Sequence, residues 1–489
     1  MSKQDRLFLL IKSLTKSEKR FIKLYAGFSQ SKTPNYIYLF DILDQMEQYD
    51  ANLLMNKISL HIDFSYINQL KKYLKEHIFE SLRLYHKKNA YRLQQDDDLS
   101  IARTLIYKNL YEDAEKVLRK LKKQAIQKEH FTFLISVNET FLYLLEQKGQ
   151  RDLESQKQMM LYYKEIISYQ QKALEINELK EIIMRARLII YAQDKIKRNI
   201  KKELNEILKE QVLTVSPQRL SSSSAKYTYF NLLSILYNSL GKEVEYFETL
   251  KEIIKLKDNS SIPLDTQAEC LLYINLSICY IKQKEKQKFF SIINAISKIL
   301  AEHPKFRTKY IYWKYLRLCE FYIMVPEEKP FKAFFNEINF ILTSPEVNLS
   351  DSNKNGLTLA LSKYYFHTNQ FEKSQNTLNN LTLTKNIQAD EFYFLEIKLL
   401  SIVCNYELNF LNIAKNQLLN LKRKLKRELL NDKDLMDLLK LLTQLVNIEK
   451  NPTKTKKHLE KIAFFIEALQ KKESTIAKKS FLLQWLHIK

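Results

Sequence analysis

The spacing of apolar residues predicts helices along most of the chain, and the stretch 357–383 shows the pattern most clearly. Leu361, Ser362 and Tyr365 share one face of a first predicted helix. The matching face of a second predicted helix carries Ser374, Leu378 and Leu381. Asn369 lies between the two helices and can adopt the left-handed backbone conformation that a tight turn needs. One such hairpin cannot bury its own apolar face, so we expect neighbouring copies of it.

Similar hairpin patterns recur from about residue 95 to residue 421. The corresponding first-helix tyrosines are Tyr191, Tyr237, Tyr280, Tyr322 and Tyr365, at intervals of 46, 43, 42 and 43 residues. A steady interval of this kind is typical of a solenoid. We therefore expect these tyrosines to be largely buried between stacked hairpins. In the hairpin that carries Tyr322, the turn is expected at Pro326, with Phe331, Phe335 and Ile338 facing inward.

Two hairpins carry the small and large residues of a known repeat family. The pattern is formed in one by Ile101, Ala102, Leu105, Tyr111, Ala114, Leu118 and Leu121, and in the other by Leu361, Ser362, Tyr365, Asn369, Phe371, Ser374, Leu378 and Leu381. This pattern resembles the tetratricopeptide repeat, although the interval near 43 residues exceeds that family's 34. The resemblance implies an α-solenoid whose first helices line a groove. The whole chain also resembles uncharacterised bacterial proteins with a short helical N-terminal segment, which brings no known activity.

The segments on either side of the repeats differ from them. Residues 1–90 are predicted to form an N-terminal helical segment, in which Thr15 and Glu18 have the spacing of a capping box. The helix that follows is expected to turn Phe21, Leu24 and Tyr25 inward. Three-helix arrangements of this kind include DNA readers, but no recognition helix stands out in the sequence.

Residues 422–489 are predicted to form a basic C-terminal helical cap. Its helices are expected at about 433–448, 455–470 and 475–487, and the last would pack through Leu482, Leu483 and Trp485. Within the repeats, Val212–Ser224 contains Pro217 and a serine run, a composition that predicts an exposed loop or hinge.

Composition supports an all-α chain and restricts its chemistry. Only four glycines and eight prolines occur in 489 residues, which is too few for the turns of a sheet protein. The four cysteines form no CxxC pair, and the apolar run Leu7–Ile11 is too short for a signal peptide. We therefore expect a cytoplasmic protein with no membrane span. There is no glycine-rich phosphate loop and no HExxH spacing, so we expect no enzyme activity, cofactor or metal.

Two functional hypotheses follow from these features. The first is a non-enzymatic scaffold or adaptor that binds a protein or peptide in the solenoid groove, whose polar and basic residues would suit an acidic ligand. The predicted groove residues are Arg103, Tyr107, Asn231, Asn238, Lys282, Lys363 and His367. The partner's identity and the oligomeric state stay open.

The second hypothesis is a nucleic-acid-binding or regulatory protein, since the net charge is +23. Its candidate phosphate contacts are Lys422, Arg423, Lys424, Lys426 and Arg427, with further clusters at Lys195, Lys197, Arg198, Lys201 and Lys202, and at Lys454, Lys456 and Lys457. Each cluster lies on a predicted helix with an apolar opposite face, so a solvated lysine-rich surface is the better explanation of each one. A variant of both hypotheses has the N-terminal segment as an effector that a peptide bound in the repeats would switch.

Overall fold

The fold is all-α in the part of the chain that the structure, a computed structural model, describes. That part comprises residues 5–27, 35–58, 66–87, 91–149, 152–191, 200–210, 213, 216–259, 264–344, 347, 349–381, 391–427, 433–448, 452–471 and 485. These residues contain 22 α-helices, two short 3₁₀ turns and no strand. None of these helices is both long and apolar enough to cross a membrane.

Contacts divide the chain into two compact units, each described by itself. Unit 1 comprises Met1–Asp194 and Glu206–Tyr229, and unit 2 comprises Lys195–Asn205 and Phe230–Lys489. The division made from the sequence has three segments that differ in residue pattern and not in contacts, and it stays a prediction.

Unit 1 begins with five helices around one apolar core. They are α1 Arg6–Ser13, α2 Lys16–Gly27, α3 Asn35–Gln45, α4 Ala51–Ile58 and α5 Ile67–Lys87. The capping box is confirmed, because the Thr15 N–H donates to Glu18 Oε2 at 2.7 Å and the Glu18 N–H donates to Thr15 Oγ1 at 3.3 Å. Ile22 and Ala26 are buried, whereas Leu24 is exposed, so the expected inward position of Leu24 is wrong. A helix surface repeats every three to four residues, which places Leu24 opposite the face that packs.

The next four helices of unit 1 pack in chain order. They are α6 Tyr91–Tyr107, α7 Tyr111–Gln127, α8 Phe131–Lys148 and α9 Leu153–Tyr191. The turns between them contain the left-handed residues Asn109, Glu129 and Gly149, at φ 61°, 48° and 68°. Ala102 and Ala114, the small residues of the first predicted hairpin, are both buried and let α6 and α7 approach closely.

The predicted loop at Val212–Ser224 is wrong at its last two residues, Ser223 and Ser224, whereas Val212, Thr214 and Val215 lie outside the described residues. Helix α11, Ser223–Leu240, begins within the serine run of this segment. The backbone N–H groups of Ser223 and Ser224 donate to the two carboxylate oxygens of Glu129 at 3.0 and 2.6 Å. Glu129 therefore satisfies N–H groups that have no partner within the helix.

Unit 2 consists largely of helix hairpins. The division between the units falls within α10, Ile200–Leu208, and within α11. The helices that lie wholly in unit 2 are α12 Glu243–Asp258, α13 Thr266–Lys282, α14 Lys286–Glu302, α15 Arg307–Met324, α16 Phe334–Thr343, α17 Asp351–His367, α18 Phe371–Asn379, α19 Glu391–Glu407, α20 Leu411–Arg427, α21 Lys433–Asn447 and α22 Pro452–Lys471. Four hairpin turns place a left-handed residue at Gly241, Lys284, Asn369 and Asn409. In each turn the next N–H donates to a carbonyl five residues earlier, as Gln370 does to Tyr365 at 2.8 Å.

The hairpin of α17 and α18 has the packing that its sequence predicted. Leu361, Ser362, Ser374 and Leu378 are buried. The hydroxyls of Ser362 and Ser374 lie 2.9 Å apart, and the Ser374 hydroxyl also lies 2.9 Å from the Ser362 carbonyl. Two small residues thus let the helices come into close contact.

The hairpin of α15 and α16 differs from its predicted register. Phe331 is exposed and precedes the second helix, and Phe334, at the start of α16, is the fully buried ring. The connection that contains Pro326 is longer than the other turns, so a residue three positions later enters the core. The predicted inward position of Phe331 is therefore wrong.

The five marker tyrosines are not equally buried, contrary to expectation. Tyr322 is buried, and Tyr237, Tyr280 and Tyr365 are half-buried. Tyr191, the last residue of the long helix α9, is 78% exposed.

The C-terminal end of unit 2 packs through α21, α22 and the buried Trp485. The indole Nε1–H of Trp485 donates to Glu407 at 2.8 Å. Leu482 and Leu483, with the rest of the predicted last helix, lie outside the described residues.

Candidate binding surfaces

The predicted groove residues fall in both units. Arg103 and Tyr107 lie on α6 in unit 1, where both are exposed. The other five belong to unit 2. Of these, Asn231 and Asn238 lie on α11, the first half-buried and the second exposed. The assignment of all seven residues to one groove stays a prediction.

The basic members of this set in unit 2 are largely neutralised. Lys282 forms an ion pair with Glu243, and Lys363 forms one with the buried Glu396. Burial, helped by the charge of Lys363, lowers the pKa of His367 to about 4. His367 is therefore neutral at pH 7, and these side chains attract an acidic ligand less than the sequence indicated.

The basic cluster on α20 is partly engaged within the protein. Lys422 donates to the Thr443 hydroxyl at 2.8 Å, and the Lys424 ammonium lies 3.6 Å from the centroid of the Phe394 ring. Arg423 is exposed, whereas the side chains of Lys426 and Arg427 lie outside the described residues.

The other two basic clusters are described only in part. Lys201 and Lys202 are exposed on α10, and Lys454, Lys456 and Lys457 are exposed on α22. Lys195, Lys197 and Arg198 lie outside the described residues.

A different surface, which the sequence analysis missed, runs along α9. Apolar residues recur on it every seven residues and are 54–72% exposed: Leu153, Met160, Ile167, Leu174 and Leu188. The remaining position of this repeat is Glu181. Of the positions three residues after a repeat position, Tyr163, Met184 and Tyr191 are apolar and exposed, and the other three are polar: Gln156, Gln170 and Asn177. We call the six repeat positions, together with Tyr163, Met184 and Tyr191, the α9 stripe. Its seven-residue spacing is visible in the sequence and could have been found there.

Packing on one side holds α9 in place. Tyr162 and Ile166 are buried, and the Tyr162 ring stacks on Phe141 of α8 with centroids 4.9 Å apart. Glu165 accepts a hydrogen bond from Asn138 of α8 at 2.8 Å. The 39 residues of α9 extend about 58 Å at 1.5 Å per residue, far beyond the 18 residues of α8. The stripe is thus presented on a fixed, long helix.

Positive charge flanks the α9 stripe. The positions four and six residues after each repeat position hold five cations, Lys157, Lys164, Lys180, Arg185 and Arg187, and one carboxylate, Glu178. Arg185 pairs with Glu181 and with Glu210 at 2.9 and 2.8 Å, so the one charge within the stripe is compensated. The four other cations are exposed and form no ion pair with any residue that the structure describes.

Chemistry and similarity give no further assignment. Within the described ranges no group of three or more His, Cys, Asp or Glu side chains is placed to hold a metal ion. No protein-family model matches the sequence, and no curated protein matches it significantly. The functional argument therefore depends on the surfaces themselves.

Proposed function

We propose that the protein is a non-enzymatic scaffold or adaptor, built of tetratricopeptide-like repeats of about 43 residues, that binds a protein partner. The turns of unit 2 support the repeat interval. Gly241 and Lys284 are 43 residues apart, Asn369 follows after about two such intervals, and Asn409 lies 40 residues further on. Solenoids of this kind commonly serve as binding surfaces.

The α9 stripe is the observation that carries the binding proposal. Monomeric proteins rarely expose large apolar patches, and such a patch commonly marks an interaction site. A seven-residue apolar repeat on a helix is complementary to the same repeat on a second helix, as in coiled coils. The partner that fits is therefore an amphipathic helix that lies along α9.

The charges that flank the stripe select the partner further. In helix pairs, the residues beside the apolar seam set partner choice through charge. Lys157, Lys164, Lys180 and Arg187 would repel a second copy of α9 wherever they met each other, whereas glutamates on a partner helix would pair with them. The proposed partner is therefore an acidic amphipathic helix of another protein.

A designed peptide tests this proposal. The probe has about four heptads, with Leu or Ile at the two apolar positions and Glu at the flanking positions. We expect the full-length protein to bind it in a fluorescence anisotropy titration, and the Ile167→Lys, Leu174→Lys double variant to bind about a hundredfold more weakly. That loss corresponds to about 2.7 kcal/mol, close to the burial of two half-exposed aliphatic side chains.

A matched control tests whether the stripe residues themselves, or any exposed apolar residue of α9, are needed for binding. Leu161 lies on α9 with exposure similar to that of Ile167 but outside the stripe. Leu161→Lys should bind the peptide normally, and a peptide with Lys in place of Glu should bind weakly. Equal losses for Leu161→Lys and the double variant would refute the assignment to the stripe.

Two further variants compare the other surfaces. The first changes Arg103, Lys363 and His367 together to Ala. If this variant loses peptide binding and the stripe variants do not, the peptide binds in the predicted groove. Replacing the five cations from Lys422 to Arg427 should leave peptide binding intact. Tight binding of DNA or RNA that these replacements weaken, with a flatter salt dependence, would support the nucleic-acid hypothesis instead.

A further inference from the structure

A cavity of about 580 Å³ lies within unit 2, between α14, α15 and α16. Its apolar walls include Leu300 of α14, Ile311 of α15 and Phe340 of α16. The volume falls within the range of 300–1,000 Å³ that is typical of small-molecule sites, which are mostly apolar with a few polar groups. Neither the α9 stripe nor the predicted groove residues contribute to it.

Two cations line this cavity, and neither forms an ion pair with Glu337, the carboxylate that lies at the same site. Lys314 is half-buried, and Arg307, seven residues or about two turns earlier on α15, is exposed at the edge of the cavity. Neither forms a hydrogen bond or ion pair with a residue in the described part of the chain, although the Lys314 ammonium lies 5.0 Å from the centroid of the Tyr315 ring. Burial, reinforced by Arg307 and opposed by Glu337, lowers the pKa of Lys314.

The carboxylate at the same site already has a partner. The Tyr315 hydroxyl donates to Glu337, and burial raises the pKa of Tyr315, which keeps its hydroxyl protonated as a donor. Glu337 thus accepts from Tyr315 while both cations retain free donors. A half-buried ammonium that makes no ion pair and feels Glu337 only at a distance is costly, and a bound anion would remove part of that cost.

We propose that this cavity binds a small organic carboxylate, with its head group between Lys314 and Arg307 and its apolar body against Leu300, Ile311 and Phe340. The amide of Asn336, which also lines the cavity, offers a further donor to the head group. The carboxylate could belong to a free organic acid or to the C-terminus of a peptide, because both present the same group on an apolar body. This site does not depend on the partner proposed for α9.

The test uses octanoate labelled with ¹³C at its carboxyl carbon, titrated with full-length protein and followed by NMR. Saturable binding is expected, and Lys314→Met or Arg307→Met should each weaken it by about tenfold to a hundredfold, the usual range for a lost charge-assisted hydrogen bond. Glu337→Gln should strengthen binding, because it removes a negative charge beside the carboxylate. Circular dichroism of each variant is the check that it is folded.

Matched controls make the charge requirement explicit. Lys309→Met removes an exposed lysine of the same helix that does not line the cavity, so it should bind octanoate normally. 1-Octanol, with a similar chain and no charge, should not displace octanoate. Displacement by octanol at equal concentration, or unchanged affinity in Lys314→Met, would overturn the proposal.

A second comparison distinguishes the two sources of the carboxylate. A short peptide ending in a free leucine carboxylate is compared with its C-terminal amide. Displacement of octanoate by the acid alone identifies a peptide C-terminus as an acceptable ligand, and displacement by neither peptide restricts the site to free organic acids. Both results support the site, whereas equal displacement by acid and amide contradicts it.

Discussion

The contact between Ser362 and Ser374 provides a direct test of how the hairpins pack. Both side chains are fully buried, and their hydroxyls lie 2.9 Å apart at the crossing of α17 and α18. The thiol of Cys404, from α19, lies a further 3.4 Å from the Ser374 hydroxyl. Replacing Ser374 with Leu would place a large side chain where three helices are in close contact.

The expected cost can be estimated from these contacts. Overpacking a filled core costs about 1–3 kcal/mol. The Ser362 hydroxyl would lose the Ser374 hydroxyl as a partner and would be displaced from the Ser374 carbonyl, at about 1–3 kcal/mol for a buried polar group. Ser374→Leu should therefore destabilise the hairpin by about 3–5 kcal/mol. Ser374→Ala, which removes only the hydroxyl, should cost about 1 kcal/mol.

Hydrogen exchange is the appropriate assay, because helical repeats open locally and need not unfold in one step. Amides of α17 and α18 should exchange much faster in Ser374→Leu than in Ser374→Ala, whereas those of unit 1 should not change. Asn376→Leu, at an exposed position of α18, is the control and should match the unmodified protein. Equal protection in Ser374→Leu and Ser374→Ala would refute close packing at this crossing.

Three further predictions concern buried rings. Phe366 is fully buried, so Phe366→Ala should lower the free energy of unfolding by about 3–5 kcal/mol in chemical denaturation. Tyr365 is half-buried, so Tyr365→Ala should lower it by about 2 kcal/mol, and equal losses would contradict the packing. Because burial lowers the pKa of His367 to about 4, below the ordinary 6.5, the unfolded chain binds more protons between these values. Stability should therefore fall as pH decreases from about 6.5 to 4, a dependence that His367→Gln should weaken in denaturation at several pH values. Trp485 is buried, so in a Trp313→Phe background iodide should quench its fluorescence poorly, and efficient quenching would show that the ring is exposed.

Features set by neighbours in sequence could be predicted. The capping box joins residues three positions apart, and the turn at Asn369 depends on which residues tolerate a left-handed backbone. The small residues Ser362 and Ser374 lie on two helices joined by a short hairpin turn, so the formation of the hairpin brings them into contact. These features account for the correct description of the α17–α18 hairpin.

Features that depend on element length or on distant partners could not be predicted in the same way. The repeat interval marked Tyr191 as a buried hairpin residue, but Tyr191 is the last residue of the 39-residue helix α9 and is exposed. The longer connection before Phe334 changed which ring enters the core. The pairing of Lys363 with Glu396 joins residues on α17 and α19, and no local pattern indicates it.

The distribution of ion pairs explains why overall charge was a poor guide to the binding surface. In unit 2, cations of one helix pair with carboxylates from another element, as Lys257 does with Glu269 at 2.6 Å and Lys286 with Glu328 at 2.6 Å. Lys282 and Lys363, which the sequence assigned to a basic groove, are compensated in the same way.

The cations that flank the α9 stripe have a different environment, because most of them pair with no described carboxylate and border exposed apolar side chains. A surface that combines unburied apolar area with uncompensated charge gains from both burial and ion pairing when a complementary helix binds. At a groove whose cations are already paired, a carboxylate of the ligand would have to displace a carboxylate of the protein. Local compensation of charge, and not the net value of +23, therefore favours α9 as the site for an acidic partner.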